Sequence, residues 1–112
     1  MAGDGAAPML SSPSMDADYS ILSQRESSGC WLFEIEAAAE DGTPPRRHVL
    51  RLAWPDYDLL SPGGDVPPER VAGVVFAFMR DRPEFAPLPA RLDAAWPRRK
   101  VEGADRLLAA SL

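Results

Sequence analysis

Apolar and polar residues alternate over three stretches in the first half of the chain, then recur at helical spacing in the second half. In residues 46–54, His48, Leu50, Leu52 and Trp54 share one side, and Arg47, Val49, Arg51 and Ala53 share the other. A half-buried antiparallel strand has this period of two, and Pro55 stops its ladder. Residues 30–37 also alternate, with Trp31, Phe33 and Ile35 facing one way and Leu32, Glu34 and Glu36 the other. Residues 18–27 predict a first strand, with Tyr19, Ile21 and Ser23 opposite Ser20, Leu22 and Gln24. Ser27-Ser28-Gly29 is a turn signal, and Glu40-Asp41-Gly42-Thr43-Pro44-Pro45 is a loop whose paired prolines cannot sit inside a sheet. Short connections between consecutive strands favour an antiparallel meander.

Residues 55–64 read as turns, with Tyr57 and Leu59 tucked under the sheet edge. A helix is expected to begin near Pro67. Asp65 is its expected N-cap, Pro67 and Pro68 suit its first turn, and Glu69 favours the positive helix end. Val71, Val74, Val75, Phe78 and Met79 then form a core-facing stripe. Arg80 and Arg82 suit the C-terminal end, and Pro83 closes it. Phe85, Leu88 and Leu92 suggest a short helical turn after Pro89, ended by Trp96-Pro97. Residues 102–111 predict a terminal helix with Ala104, Leu107 and Leu108 inward. Strands followed by helices give an α+β class: a three-stranded antiparallel meander packed on one main helix, with short C-terminal helices. The outer sheet face would carry Arg47, Arg51, Glu34, Glu36 and Gln24, either wet or used for binding.

The length of 112 residues fits one domain, and a hydrophobic fraction of 46% supports a small core with little room for a large cofactor. No cofactor and no metal are expected. Residues 1–17 are small, polar and proline-containing, so burial cannot offset the entropy of ordering them. They are expected to be a disordered tail before a single domain over 18–112. Met9, Leu10 and Met15 are the tail's only apolar anchors for a partner. No apolar run approaches the ~20 residues that span a bilayer, and the N-terminus lacks the pattern of a secretory signal. The lone Cys30 permits no intrachain disulfide; a cytoplasmic location is expected. The formal net charge of -5 argues against nucleic acid as the default partner, because phosphate attraction dominates non-specific binding.

Catalytic constellations are sparse. A metal site needs several ligands at fixed spacing, whereas His48 and Cys30 are the only residues of their types and lie on different strands. His48 shares the parity of Leu50 and Leu52, as a packed core histidine would. A Cys30–His48 dyad requires a particular strand register and lacks an evident third, orienting group. Asp56, Asp58, Asp65 and Glu69 surround Gly63-Gly64 and could hold a divalent cation or do acid–base work. Their spacing matches no calcium loop, and turns and helix starts collect Asp for capping alone. The glycines also lack the spacing of phosphate-binding loops.

Two basic clusters remain: Arg46-Arg47-His48 with Arg51, and Arg98-Arg99-Lys100. Brought together they would form a positive patch; alternatively, Arg47 and Arg51 pair with glutamates across the strands. Of the three tryptophans, Trp31 and Trp54 have core parity. Trp96, beside a proline and a basic run, is expected to be exposed and is the best candidate for a contact residue.

The stretch HVLRLAWPDYDLLSPGGDVPPERVAGVVFAFM resembles a small family of uncharacterised proteins from high-GC bacteria. The shared pattern is a strand ending in L-x-W-x-D-Y, a Gly-containing loop, and a helix with P-x-x-V-x-x-V. The resemblance covers residues 19–100 and implies no activity; Pro55 departs from the usual small residue, and no functional residue carries over. The expected function is therefore a small non-catalytic protein-interaction domain, an adaptor or accessory subunit. Its expected contact residues are Trp96, Arg47, Arg51, Arg98, Arg99, Lys100, Met9 and Leu10. One alternative is RNA or ribosome association through the arginine-rich patch. Another is a small enzyme using Cys30 and His48 or the Asp56–Glu69 carboxylates.

Overall fold

The structure, a computed structural model, describes residues 19–38 and 44–112. The expected tail, with Met9, Leu10 and Met15, lies outside the described residues. Alternation produces β1 (Tyr19–Ser27), β2 (Cys30–Ala37) and β3 (Arg46–Ala53), paired antiparallel in that order. Gly29, at φ 77°, supplies the left-handed backbone of the β1–β2 turn. On one face Phe33, Ile35, Leu50 and Leu52 are fully buried.

The architecture is α+β, but the sheet has four strands rather than three. The fourth, β4 (Arg91–Asp93), runs parallel to β3, with Leu50 opposite Leu92. Parallel neighbours need a long crossover, and residues 54–90 provide it. Its two helices are α1 (Trp54–Leu60) and α2 (Pro68–Arg80). The short helical turn expected after Pro89 is absent. Phe85 belongs instead to a 3-10 turn at Pro83–Phe85, and Leu92 is the buried residue of β4. Trp96-Pro97 does not end an element but starts α3 (Trp96–Lys100), and α4 (Ala104–Ala110) follows.

Four further expectations are corrected. The β1–β2 register shifts between Ile21 and Ser23, so Ile21 pairs with Ile35 but Ser23 pairs with Glu34. A slip of one residue exchanges the faces. Ser23 and Arg25 therefore lie on the outer face, and Gln24 falls opposite Phe33 on the other. Trp54 is not an inward strand residue: Pro55 lacks an N–H, ends the ladder and occupies the first turn of α1, leaving Trp54 43% exposed. Tyr57 does pack against the core, with its hydroxyl donating to the Val66 carbonyl, but Leu60 rather than Leu59 is buried. Pro67, not Asp65, caps α2, with no side-chain bond to the helix end.

Helix α2 is also rotated from the expected stripe. Val71, Ala72, Val75, Phe76 and Met79 are fully buried, while Val74 and Phe78 are half-buried on one flank. Phe76 sets the rotation. Its ring packs edge-on against Tyr19 at 5.2 Å and at a tilt against His48 at 5.5 Å. Each large apolar side chain taken out of water in this layer contributes about 1.5–3 kcal/mol before entropy is counted. In α4, Ala104 and Leu108 are buried but Leu107 is exposed. Among the described residues no helix is long and apolar enough to cross a membrane.

Candidate functional site

The C-terminal segment places Trp96 at one edge of the sheet's outer face. Two backbone bonds flank β4: the Val49 N–H donates to the Ala90 carbonyl at 2.8 Å, and the Ala94 N–H to the Arg51 carbonyl at 2.9 Å. The Asp93 carboxylate accepts the Ala95 N–H at 2.9 Å, which turns the chain into α3. There Pro97 is buried and Arg98 reaches Asp56 of α1 at 2.9 Å and Asp105 of α4 at 3.2 Å. Burial opposes the charge on Arg98, but the hydrogen bonds it donates to Asp56 and Asp105 outweigh this, so its pKa lies above the ordinary value. Arg98 thus ties α3 to α1 and α4.

The expected basic patch is divided by these pairings. Arg47 is held by Glu34 at 2.8 Å, with Glu36 at 3.8 Å, as cross-strand pairing requires. Arg51 meets Asp93 of β4 at 3.3 Å, not a glutamate of β2. Arg99 and Lys100 are exposed on α3, and neither has a carboxylate within ion-pair distance among the described residues. The Lys100 ammonium instead lies 5.9 Å from the centre of the Phe85 ring.

Trp96 is half-buried rather than exposed, and it lines two hollows. One, of ≈ 410 Å³, is lined by Glu84, Phe85, Pro87, Pro89, Arg99 and Lys100. The other, of ≈ 440 Å³, lies on the outer sheet face over Leu32 and Val49, between Arg25, Arg51 and Arg91. Arg25 and Arg91 are exposed and likewise have no carboxylate within ion-pair distance among the described residues. Sequence reasoning missed both. Arg25 acquires its outward direction from the bulge, and Arg91 belongs to a strand with no periodic signature.

The enzymatic alternatives fare differently from the basic patch. Cys30 pairs with Ala53, and His48 pairs with Ile35, five residues further along β2. That offset is about 17 Å at ~3.4 Å per residue, so the two cannot form a dyad. His48 is buried, and its Nδ1 lies 2.7 Å from the Pro89 carbonyl oxygen. A carbonyl only accepts, so Nδ1 carries the proton. Asp56 is engaged by Arg98, while Asp58, Asp65 and Glu69 are exposed. No group of three or more His, Cys, Asp or Glu able to hold a metal occurs among the described residues. No family model, curated protein or solved structure matches the chain.

Proposed function

We propose that this chain is a non-catalytic protein-interaction domain, an adaptor or accessory subunit, whose working surface is centred on Trp96. One observation carries the reading. A half-buried tryptophan stands between two hollows bordered by Arg25, Arg91, Arg99 and Lys100, none of them in an ion pair among the described residues. By contrast Arg47, Arg98 and Arg51, the last of which also lines the second hollow, are matched to carboxylates. Tryptophan and arginine supply much of the energy at protein interfaces, most where they sit in or around a concave surface.

The test is affinity capture from the native host with the full chain, compared with an Arg91→Glu/Arg99→Glu variant. Both sites are exposed, so the variant should unfold at the same urea concentration. Arg106→Glu, on exposed α4 surface, is the control. The reading predicts proteins retained by the wild type and the control but lost by the double variant. The same set with all three baits would overturn it.

A further inference from the structure

Resting on that reading, we infer that the surface takes an extended acidic peptide segment with aliphatic residues between its carboxylates. The register gives the argument. Across the outer face Arg25, Leu32, Arg51 and Asp93 form one row, and Ser23, Glu34, Val49 and Arg91 form the next. Arg51 and Asp93 satisfy each other, and Glu34 holds Arg47. What remains is an apolar floor of Leu32 and Val49 with an arginine at either side, Arg25 on β1 and Arg91 on β4, neither in an ion pair among the described residues. Trp96 continues that floor into the second hollow, where Phe85 and two prolines form the apolar wall and Arg99 and Lys100 supply the charge.

The dimensions set the length of the occupant. Three inter-strand spacings of ~4.8 Å separate β1 from β4, about 14 Å. From Trp96 to Lys100, α3 adds about 6 Å at ~1.5 Å per residue. An extended chain at ~3.3 Å per residue covers this with about six residues. A carboxylate at one end meets Arg25, one near the middle meets Arg91 and those at the far end meet Arg99 and Lys100, with the aliphatic side chains between them on Leu32, Val49 and Trp96.

A polyphosphate strand suits the same surface poorly. Its charge repeats at every unit, so it must pass Glu34, Asp93 and Glu84, whereas a peptide places its carboxylates singly. Single-stranded nucleic acid also relies on successive aromatic platforms, and these hollows offer Trp96 and a buried Phe85 edge.

The experiment measures fluorescence anisotropy of labelled synthetic peptides against the full-length chain. The probes are Glu-Glu-Leu-Glu-Leu-Glu-Glu, the same peptide with Gln for Glu, and a twelve-residue oligouridylate. The inference predicts saturable binding of the acidic peptide, about tenfold weaker with Trp96→Ala and with Arg99→Glu, and no saturation by the Gln peptide. Arg106→Glu should bind as the wild type does, and urea midpoints identify any variant that has lost its fold. Equal binding of the acidic and Gln peptides, no binding of either, or tighter and steeply salt-dependent binding of the oligouridylate would overturn it. If the peptide fails while host proteins are still lost from the Arg91→Glu/Arg99→Glu bait, the protein-interaction reading stands and only the acidic-peptide inference falls.

Discussion

The Nδ1–H of His48 donates to the carbonyl oxygen of Pro89 at 2.7 Å, a contact between residues 41 apart that anchors the approach to β4. His48 is the inward residue of β3 beyond Leu50, so the bond leaves the core edge where β4 must join the sheet. Replacing it should loosen that junction more than the rest of the sheet. His48→Leu keeps the apolar packing against Phe76 but removes the donor, at about 1 kcal/mol. Amide exchange is the readout: Val49 and Ala94, whose N–H groups bond at either end of β4, should exchange faster, while Phe33 should not change. Uniform acceleration across the sheet would contradict a local role.

Tyr19 and Gly73 make a second close approach. The tyrosine hydroxyl donates to the Gly73 carbonyl at 3.2 Å, and a Cβ built on Gly73 would stand 3.0 Å from the tyrosine hydroxyl oxygen. Alanine in a helix interior is normally favoured over glycine by about 1 kcal/mol. In the wild type that gain should be cancelled by displacement of the tyrosine. In a Tyr19→Phe background the nearest neighbours lie at 3.8 and 3.9 Å, and Gly73→Ala should stabilise by about 0.5–1 kcal/mol. A double-mutant cycle by urea unfolding measures the difference; an equal effect in both backgrounds would remove the steric account.

Burial raises the pKa of the Tyr19 hydroxyl, an effect opposed by Arg80 and Arg70 and aided by Asp81. The folded protein then holds this proton more tightly than the unfolded chain does. The stability this contributes is complete below about pH 10 and falls as pH rises through the folded value. Tyr19→Phe has no such proton. The stability advantage of the wild type over Tyr19→Phe should therefore hold up to about pH 10 and shrink as pH rises above it. A constant difference in urea midpoints over that range would show that the hydroxyl is not buried as described.

Strands β2 and β3 are legible because each buries a single face, so burial writes itself as alternation. The bulge near Leu22 leaves no such mark: one extra residue exchanges the faces of Ser23, Gln24 and Arg25 without altering composition. β4 has three residues, and backbone bonds to β3 define it, which is tertiary information. In α2, the apolar residues Val71, Val74, Val75, Phe76, Phe78 and Met79 cover more than one stripe. The choice among rotations fell to the partners of Phe76, the rings of Tyr19 and His48. At the candidate site, Trp96 and the basic run after it were visible. Which arginines stay unmatched was not, because Asp56 and Asp105 meet Arg98 only once α1, α3 and α4 have packed.

Arg98 and Arg99 are neighbours in one basic run, yet the first is clamped between two carboxylates and the second is exposed without an ion-pair partner among the described residues. That division underlies the binding surface, and it can be measured before any partner is in hand. Urea unfolding of Arg98→Gln should show a loss of about 2 kcal/mol, because Asp56 is left buried without its partner. Arg99→Gln should stay within about 0.5 kcal/mol of the wild type. Equal losses from the two substitutions, or a larger one from Arg99→Gln, would contradict the account.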